Sequence, residues 1–265
     1  MEPIRVVING AFGRMGQEIT KGVVCQPGLR VVGAVEKEVT QQYLPLTEAP
    51  ELIALSSDLD SLLKSCDADV VVDFTDAEVS MAAARTALKH RVNMVIGTTG
   101  LSQQNLTEIE KLCRVHKAGA IVAPNFSLGA AVMIHLSRLA ARFFNYAEIV
   151  EMHHDNKADA PSGTAIATAR AMSQGRSKPF VYPKTARKVL SSTRGGKMDG
   201  IAIHSLRLPG FMAGQEVILS GLGETLSLRH NAISRECYLP GVVLAIQEVT
   251  KRKGLIYGLD ALLKL

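Results

Sequence analysis

The sequence predicts an α/β chain in two parts: a parallel sheet covered by helices, then an α+β region built on a mixed sheet. Three observations predict it. Short runs rich in Val and Ile alternate with helix-spaced segments as far as Ala123. A glycine-rich turn joins the first of these runs to the first helical segment. Beyond Ala123 the pattern changes to short strand-like runs separated by glycines. At 265 residues the chain is long enough for one large domain or two modest ones.

Residues 4–8, 29–35, 70–74, 93–96 and 120–123 are short, continuous apolar runs, and 14–24, 78–90 and 103–116 place apolar side chains at helical spacing. Continuous apolar strands alternating with helices favour a parallel sheet buried on both faces. Residues 39–60 contain two prolines and are expected to be irregular. An apolar helix is expected over 130–143, a strand over 147–152 and a helix over 162–172. The stretch 173–197 is polar, basic and aperiodic. Runs at 201–208, 215–220 and 225–230 read as short strands of a mixed or antiparallel sheet. An apolar helix over 239–249 and a helical tail over 258–265 close the chain.

Composition narrows the function classes. Hydrophobic residues make up 47% and charged ones 21%, ordinary for a soluble globular protein. The net charge of +5 is mild, and its densest cluster, Lys251-Arg252-Lys253, reads as a solvated helix end. Aromatics are 5% with no Trp, too few for the stacking platforms of a single-strand binder, so no nucleic-acid partner is expected. Four cysteines at 25, 66, 113 and 237 form no Cys-x-x-Cys pair, which suggests reduced thiols and neither zinc nor disulfides. No apolar run approaches the roughly 18 residues that span a bilayer, so no membrane partner is expected. Met-Glu-Pro-Ile-Arg leads straight into the first strand without the pattern of a signal peptide, and a cytoplasmic location is expected.

The first candidate site is Asn9-Gly10-Ala11-Phe12-Gly13-Arg14-Met15-Gly16, between the first strand and first helix. Glycines let the chain turn sharply and bring backbone amides to a pyrophosphate, and a helix N-terminus supplies unpaired N–H donors. Glu36, at the end of the second strand, can accept hydrogen bonds from a ribose diol. Lys37 beside it can attract a 2′-phosphate that Glu36 repels, so NADH is expected and NADPH stays open. Gly97-Thr98-Thr99-Gly100 and Ala123-Pro124-Asn125-Phe126-Ser127 follow the fourth and fifth strands, where ligands of open α/β sheets bind.

The second candidate site is the stretch 151–164, Glu-Met-His-His-Asp-Asn-Lys-Ala-Asp-Ala-Pro-Ser-Gly-Thr. Histidine suits proton transfer near neutrality. On an extended backbone His153 and His154 point to opposite sides, so one of them faces a given ligand. Lys157 can pair with a carboxylate or give a proton. Ser162, Gly163 and Thr164 open a helix whose free amides and hydroxyls make a carboxylate cradle. His-His without clustered Cys or a His-Glu-x-x-His helix gives poor metal spacing, so no metal is expected. His204, His230, Arg207 and Arg235 are ambiguous; His90, His116 and His135 fall in expected helices and read as structural.

These motifs, with Asp73-Phe74-Thr75 and Gly223-Glu224…His230…Ser234-Arg235, resemble those of the 4-hydroxy-tetrahydrodipicolinate reductase (dihydrodipicolinate reductase) family over nearly the whole chain. The resemblance implies a Rossmann-type dinucleotide-binding domain over 1–127, completed by 237–265 through a returning C-terminal helix. A substrate-binding domain over 128–236, inserted between them, would build a homotetramer through its sheet. It implies that Gly10, Ala11, Phe12, Gly13, Arg14, Met15, Glu36, Lys37, Gly97, Thr98, Thr99, Ala123, Pro124, Asn125 and Phe126 bind NADH or NADPH. His153 would be the proton donor and Lys157 a second donor or carboxylate partner. His154, Gly163 and Thr164, with Ser162 in the same cradle, would hold a small dicarboxylate. The expected reaction is reduction of 4-hydroxy-tetrahydrodipicolinate in the diaminopimelate route to lysine. The chain departs from the family at Phe12, usually glycine, and at Leu208-Pro209 and Gln215, near an expected Gly-Glu-His step. A dehydrogenase of an amino or keto acid and a nucleotide sensor without turnover are the rival readings.

Overall fold

A computed structural model describes residues 2–46, 51–187, 189–191 and 193–265. The chain divides into two compact units, one running to Leu128 and resuming over Arg235–Lys264, the other formed by Gly129–Ser234 with Leu265.

In the first unit β1 (Ile4–Asn9), α1 (Arg14–Val24), β2 (Leu29–Val35), β3 (Ala54–Ser56), α2 (Leu59–Ser65) and β4 (Val70–Asp73) follow in order. Next come α3 (Ala77–Lys89), β5 (Asn93–Ile96), α4 (Gln103–His116) and β6 (Gly119–Val122). The helix α5 (Leu128–Ala140) leads into the second unit, made of β7 (Tyr146–His153), α6 (Gly163–Gln174), β8 (Gly196–Met198), β9 (Ile201–Arg207), β10 (Ala213–Gly221) and β11 (Glu224–Ala232). A 3₁₀ turn (Arg235–Tyr238), α7 (Leu239–Val249), β12 (Gly254–Tyr257) and α8 (Leu259–Leu263) complete the first unit.

The seven strands of the first unit lie in the order β12-β6-β5-β4-β1-β2-β3, and all neighbouring pairs are parallel. All four residues of β4 and of β6 are buried, as a sheet covered on both faces requires. Ala84, Leu88 and Ile109 pack against Val71, Met94 and Ile96 in the same core. The chain enters the sheet at β1 and then builds outwards in both directions, so the loops after β1 and β4 flank the point where the winding reverses.

The second unit carries a five-stranded mixed sheet, β11-β10-β7-β9-β8, in which only β7 and β9 run parallel. Ala165, Ala169 and Met172 of α6 pack on Ile149, Ile203, Val217 and Leu219. Because side chains alternate across a strand, the face that holds Ile149 also holds Glu151 and His153.

Four elements depart from the expectation. The stretch 39–60 holds β3 and the start of α2, while 47–50 lie outside the described residues. Asp58 starts α2 by accepting from the amides of Asp60 and Ser61, but the helix has seven residues, too few to display a period. β12 lies between the last long helix and the tail as a four-residue edge strand beside β6, and β8 forms the edge of the second sheet at the end of the polar stretch. Lys188 and Ser192 of that stretch lie outside the described residues. No helix among the described residues is long and apolar enough to cross a membrane.

Candidate active site

In the first unit the glycine loop leaves β1 through Gly10, whose φ of 82° suits glycine. A Cβ at Gly16 would lie 1.9 Å from the Gly10 carbonyl oxygen, so α1 can approach the loop only without a side chain there. Gly13 caps α1 in an extended conformation, and no side-chain hydrogen bond caps that helix. The first amides of α1, those of Arg14 and Met15 among them, therefore have the character of an anion cradle. Ala11 is buried beneath the turn and Phe12 stands at its tip, 39% exposed.

Glu36 joins this turn to the end of β2. Its carboxyl accepts from the Phe12 amide at 2.8 Å and from the Lys37 amide at 2.9 Å. Lys37 is exposed.

A buried carboxyl organises the neighbouring loops. Asp73, fully buried at the end of β4, accepts from Asn9 Nδ2 at 2.5 Å, Thr98 Oγ1 at 2.6 Å and Thr75 Oγ1 at 3.1 Å. Thr98 in turn accepts from the Thr75 amide at 3.0 Å. A Cβ at Gly97 would fall 2.0 Å from the Phe74 ring, which leans on Phe126 at 5.9 Å between centroids. Ala123 and Phe126 are buried, while Thr99 and Pro124 are exposed and Asn125 is half-buried, its Oδ1 accepting from the Ser127 amide. The loops at 10–13, 74–76 and 97–100 thus close on one another through Asp73, Thr75 and Thr98. Asn9 and Asp73 fall within motifs picked out in the sequence, which gave neither a part in tying the loops together. An aspartate ending an otherwise apolar strand was their signal.

In the second unit β7 ends on His153. Its Nδ1 lies 2.6 Å from Glu151 Oε2, and Glu151 is fully buried. Arg207, on the neighbouring strand and in register with His153, grips the same carboxyl with Nη1 at 2.9 Å from Oε2 and Nη2 at 2.8 Å from Oε1. The Ser162 amide donates to Glu151 Oε1 at 3.2 Å, which brings the start of α6 against the end of β7. Ser162 is 2% exposed and its hydroxyl caps α6 at the Ala165 amide, whereas Gly163 is exposed and Thr164 half-buried. A Cβ at Gly163 would meet nothing within 4 Å.

Lys157 lies in the 154–162 loop, folded back so that its amide donates to the His154 carbonyl at 3.2 Å. Its ammonium donates to Asp159 Oδ1 at 2.6 Å, which holds the Asp159 carboxyl below its ordinary range. Burial disfavours charge on Glu151, but the hydrogen bonds from Arg207, Ser205 and His153 outweigh it and keep that carboxyl below the usual range too. Burial also lowers His153; the pull of Glu151 opposes this, and the charges of Lys157 and Arg207 reinforce it. The site is therefore one imidazole set between two ion pairs, Arg207 with Glu151 and Lys157 with Asp159, with a helix N-terminus beside it.

His204 pairs with Glu148 at 2.9 Å on the opposite face of the sheet, and His90 pairs with Asp60 at 2.7 Å in the first unit. Neither joins the cluster. Among the described residues no group of three His, Cys, Asp or Glu comes together to hold a metal ion.

Two family models match the chain, "Dihydrodipicolinate reductase, N-terminus" over residues 4–126 and "Dihydrodipicolinate reductase, C-terminus" over 129–263. The chain belongs to the dihydrodipicolinate reductase family. A 4-hydroxy-tetrahydrodipicolinate reductase of Dehalococcoides mccartyi is 51% identical over 265 residues, covering 100% of both chains. One from Moorella thermoacetica is 46% identical over 263 residues, 98% of each. The solved dihydrodipicolinate reductase of Paenisporosarcina sp. TG-14, with dipicolinate bound, superposes with a TM-score of 0.87 at 37% identity, covering 97% of this chain and 98% of that one. The two dihydrodipicolinate reductase models meet between residues 126 and 129, where the first compact unit gives way to the second.

Proposed function

We propose that the protein reduces 4-hydroxy-tetrahydrodipicolinate, by way of dihydrodipicolinate, to tetrahydrodipicolinate in the diaminopimelate route of lysine biosynthesis. The observation that carries this reading is the convergence of His153, Arg207 and the start of α6 on Glu151, with Lys157 close enough to bear on the imidazole. A dianionic ring needs fixed positive charge and N–H dipoles around it, and a reduction needs one proton donor within that shell.

The first unit is the nucleotide-binding domain in this reading. The tight Gly10–Gly16 approach and the uncapped start of α1 fit a pyrophosphate, and the loop at 97–99 with Ala123, Pro124, Asn125 and Phe126 fits the nicotinamide end. The cofactor is a pyridine nucleotide; Glu36 at the ribose end favours NADH, and exposed Lys37 leaves NADPH usable. When bound, it supplies a hydride, after which the substrate ring is electron-rich and lacks one proton.

The second unit holds the substrate. Lys157 and the Gly163 and Thr164 amides neutralise the carboxylates, with His154 beside them, and Ser162 fixes the helix that presents those amides. His153 delivers the proton. Metal ions take no part in this scheme.

A homotetramer built through the mixed sheet completes the proposal. Both α5 and α6 pack on the face bearing Gln215 and Glu151, while Val150, Leu206 and Ile218 lie on the other face and are only half-buried. Light scattering at four times the 28.5 kDa chain mass would support it, and a monomer would end it. Action in the cytoplasm agrees with four unpaired cysteines.

The deciding experiment follows NADH and NADPH oxidation while the cyclic imine is generated from pyruvate and aspartate semialdehyde by the preceding synthase. Imine-dependent oxidation is the expected result. Folded protein that oxidises neither nucleotide would overturn the proposal.

A further inference from the structure

The buried carboxyl of Glu151 does more than balance Arg207. Its two oxygens receive His153 Nδ1 at 2.6 Å, Arg207 Nη1 at 2.9 Å, Arg207 Nη2 at 2.8 Å and the Ser162 amide at 3.2 Å. A carboxylate only accepts, so the ring nitrogen facing it carries the hydrogen. Nδ1 is then occupied, and Nε2 is the nitrogen left to take up and release a proton.

Arg207 has no Nη hydrogen left over for a ligand. Besides its two bonds to Glu151, Nη1 donates to the Leu206 carbonyl at 2.7 Å and Nη2 to the Asp159 carbonyl at 2.6 Å. Four Nη–H groups meet four protein acceptors. The sequence left the role of Arg207 open; its geometry is that of a brace. One guanidinium ties β9 to the carboxyl that holds His153 and to the loop that carries Lys157.

We infer that Glu151 and Arg207 are positioning residues for proton transfer: Glu151 fixes His153 in its Nδ1–H tautomer, and Arg207 holds the Glu151 carboxylate in place to do so. The inference rests on the reading of His153 as the proton donor, and it adds what makes that histidine competent. An ion pair serving the fold alone would need only the Arg207 fork, whereas here the imidazole shares an oxygen with it. The lever is a large one, since losing the tautomer-setting carboxylate costs a histidine general base about 10⁴-fold in the serine-protease triad.

The test is ¹⁵N NMR of the full chain labelled at histidine, with the His153 signals assigned by their loss in His153→Asn, beside turnover of the same samples. Above its titration the wild-type ring should show the Nδ1–H pattern. In Glu151→Gln the one remaining carbonyl oxygen is claimed by Arg207 and the Ser162 amide. The amide nitrogen then faces the ring as a donor, and the pattern should move to Nε2–H. Turnover should fall by about 10²-fold or more with KM within a few-fold. An Nε2–H pattern in the wild type, or an unmoved pattern in Glu151→Gln, overturns the inference whatever the turnover. A moved pattern with wild-type turnover upholds the positioning and sinks His153 as the donor instead. Should Glu151→Gln not fold, the wild-type spectrum decides alone.

Discussion

Asp73 and Thr98 sit 25 residues apart in sequence at the ends of adjacent strands, joined by a buried hydrogen bond of 2.6 Å. The same carboxyl takes the Asn9 amide, so three strand ends are pinned to one group. Thr98→Val removes this donor together with the acceptor of the Thr75 amide. The expected cost is about 1–3 kcal/mol, because buried polar groups lose their partners. Urea unfolding measures it, and the KM for the nucleotide should rise in the same variant. An unchanged midpoint and KM would remove Asp73 as the organiser of these loops.

Gly16→Ala tests the approach of α1 to the glycine turn. Its methyl group would stand 1.9 Å from the Gly10 carbonyl oxygen, which is backbone and cannot swing aside. The turn must open, at a cost of about 1–3 kcal/mol or more, and nucleotide affinity should fall with it. Gly163→Ala is the control, since a Cβ there meets nothing within 4 Å and stability should hold. Thermal unfolding of the pair, with NADH titration by fluorescence, separates the two. Equal behaviour of both variants would contradict the assignment.

Much of this was legible in the sequence, and the reasons differ by region. The strands 29–35 and 93–96 and the helices 14–24, 103–116 and 239–249 are as expected, because the strands carry apolar runs buried on both faces and the helices carry an apolar stripe. β3, β8 and β12 went unseen because three or four residues at a sheet edge carry no period to read. His153 and Lys157 stood out as chemistry in a short segment. Arg207 did not, because its partner Glu151 lies 56 residues away and only the parallel pairing of β7 with β9 joins them.

His153→Ala and Lys157→Ala should each lower turnover by about 10²-fold or more with the fold intact. Among the described residues the Lys157 ammonium donates to exposed Asp159, and the backbone bond to His154 survives the substitution, so its loss should leave the melting temperature nearly unchanged. Turnover near the wild-type value in both variants, with circular dichroism unaltered, would refute the assigned roles.

Glu36→Ala should shift the nucleotide preference. The carboxyl accepts from the Phe12 amide, and in the proposed binding mode it would meet a 2′-phosphate with like charge. Removing it relieves that repulsion and leaves Lys37 as the nearest ionic group in sequence. The ratio of kcat/KM for NADPH over NADH should rise by about tenfold, the equivalent of about 1.4 kcal/mol. A ratio that stays put would place the ribose elsewhere.

Proton uptake on ligand binding follows from the charges around His153. In the free protein burial pushes the imidazole below its ordinary range of about 6.5, with Lys157 and Arg207 adding like charge against the pull of Glu151. The ring is therefore mostly neutral at pH 7.5. A bound dicarboxylate brings two negative charges, which favour the imidazolium and raise its pKa. Binding of dipicolinate at pH 7.5 should accordingly take up to one proton from solution. Calorimetry in buffers of different ionisation enthalpy reads that number directly, and His153→Ala should abolish it. The same sign governs catalysis: kcat/KM reports the free enzyme, so it should fall as pH rises through the lowered His153 pKa. Buffer-independent binding enthalpy in the wild type would mean that this histidine does not gain its proton with the ligand.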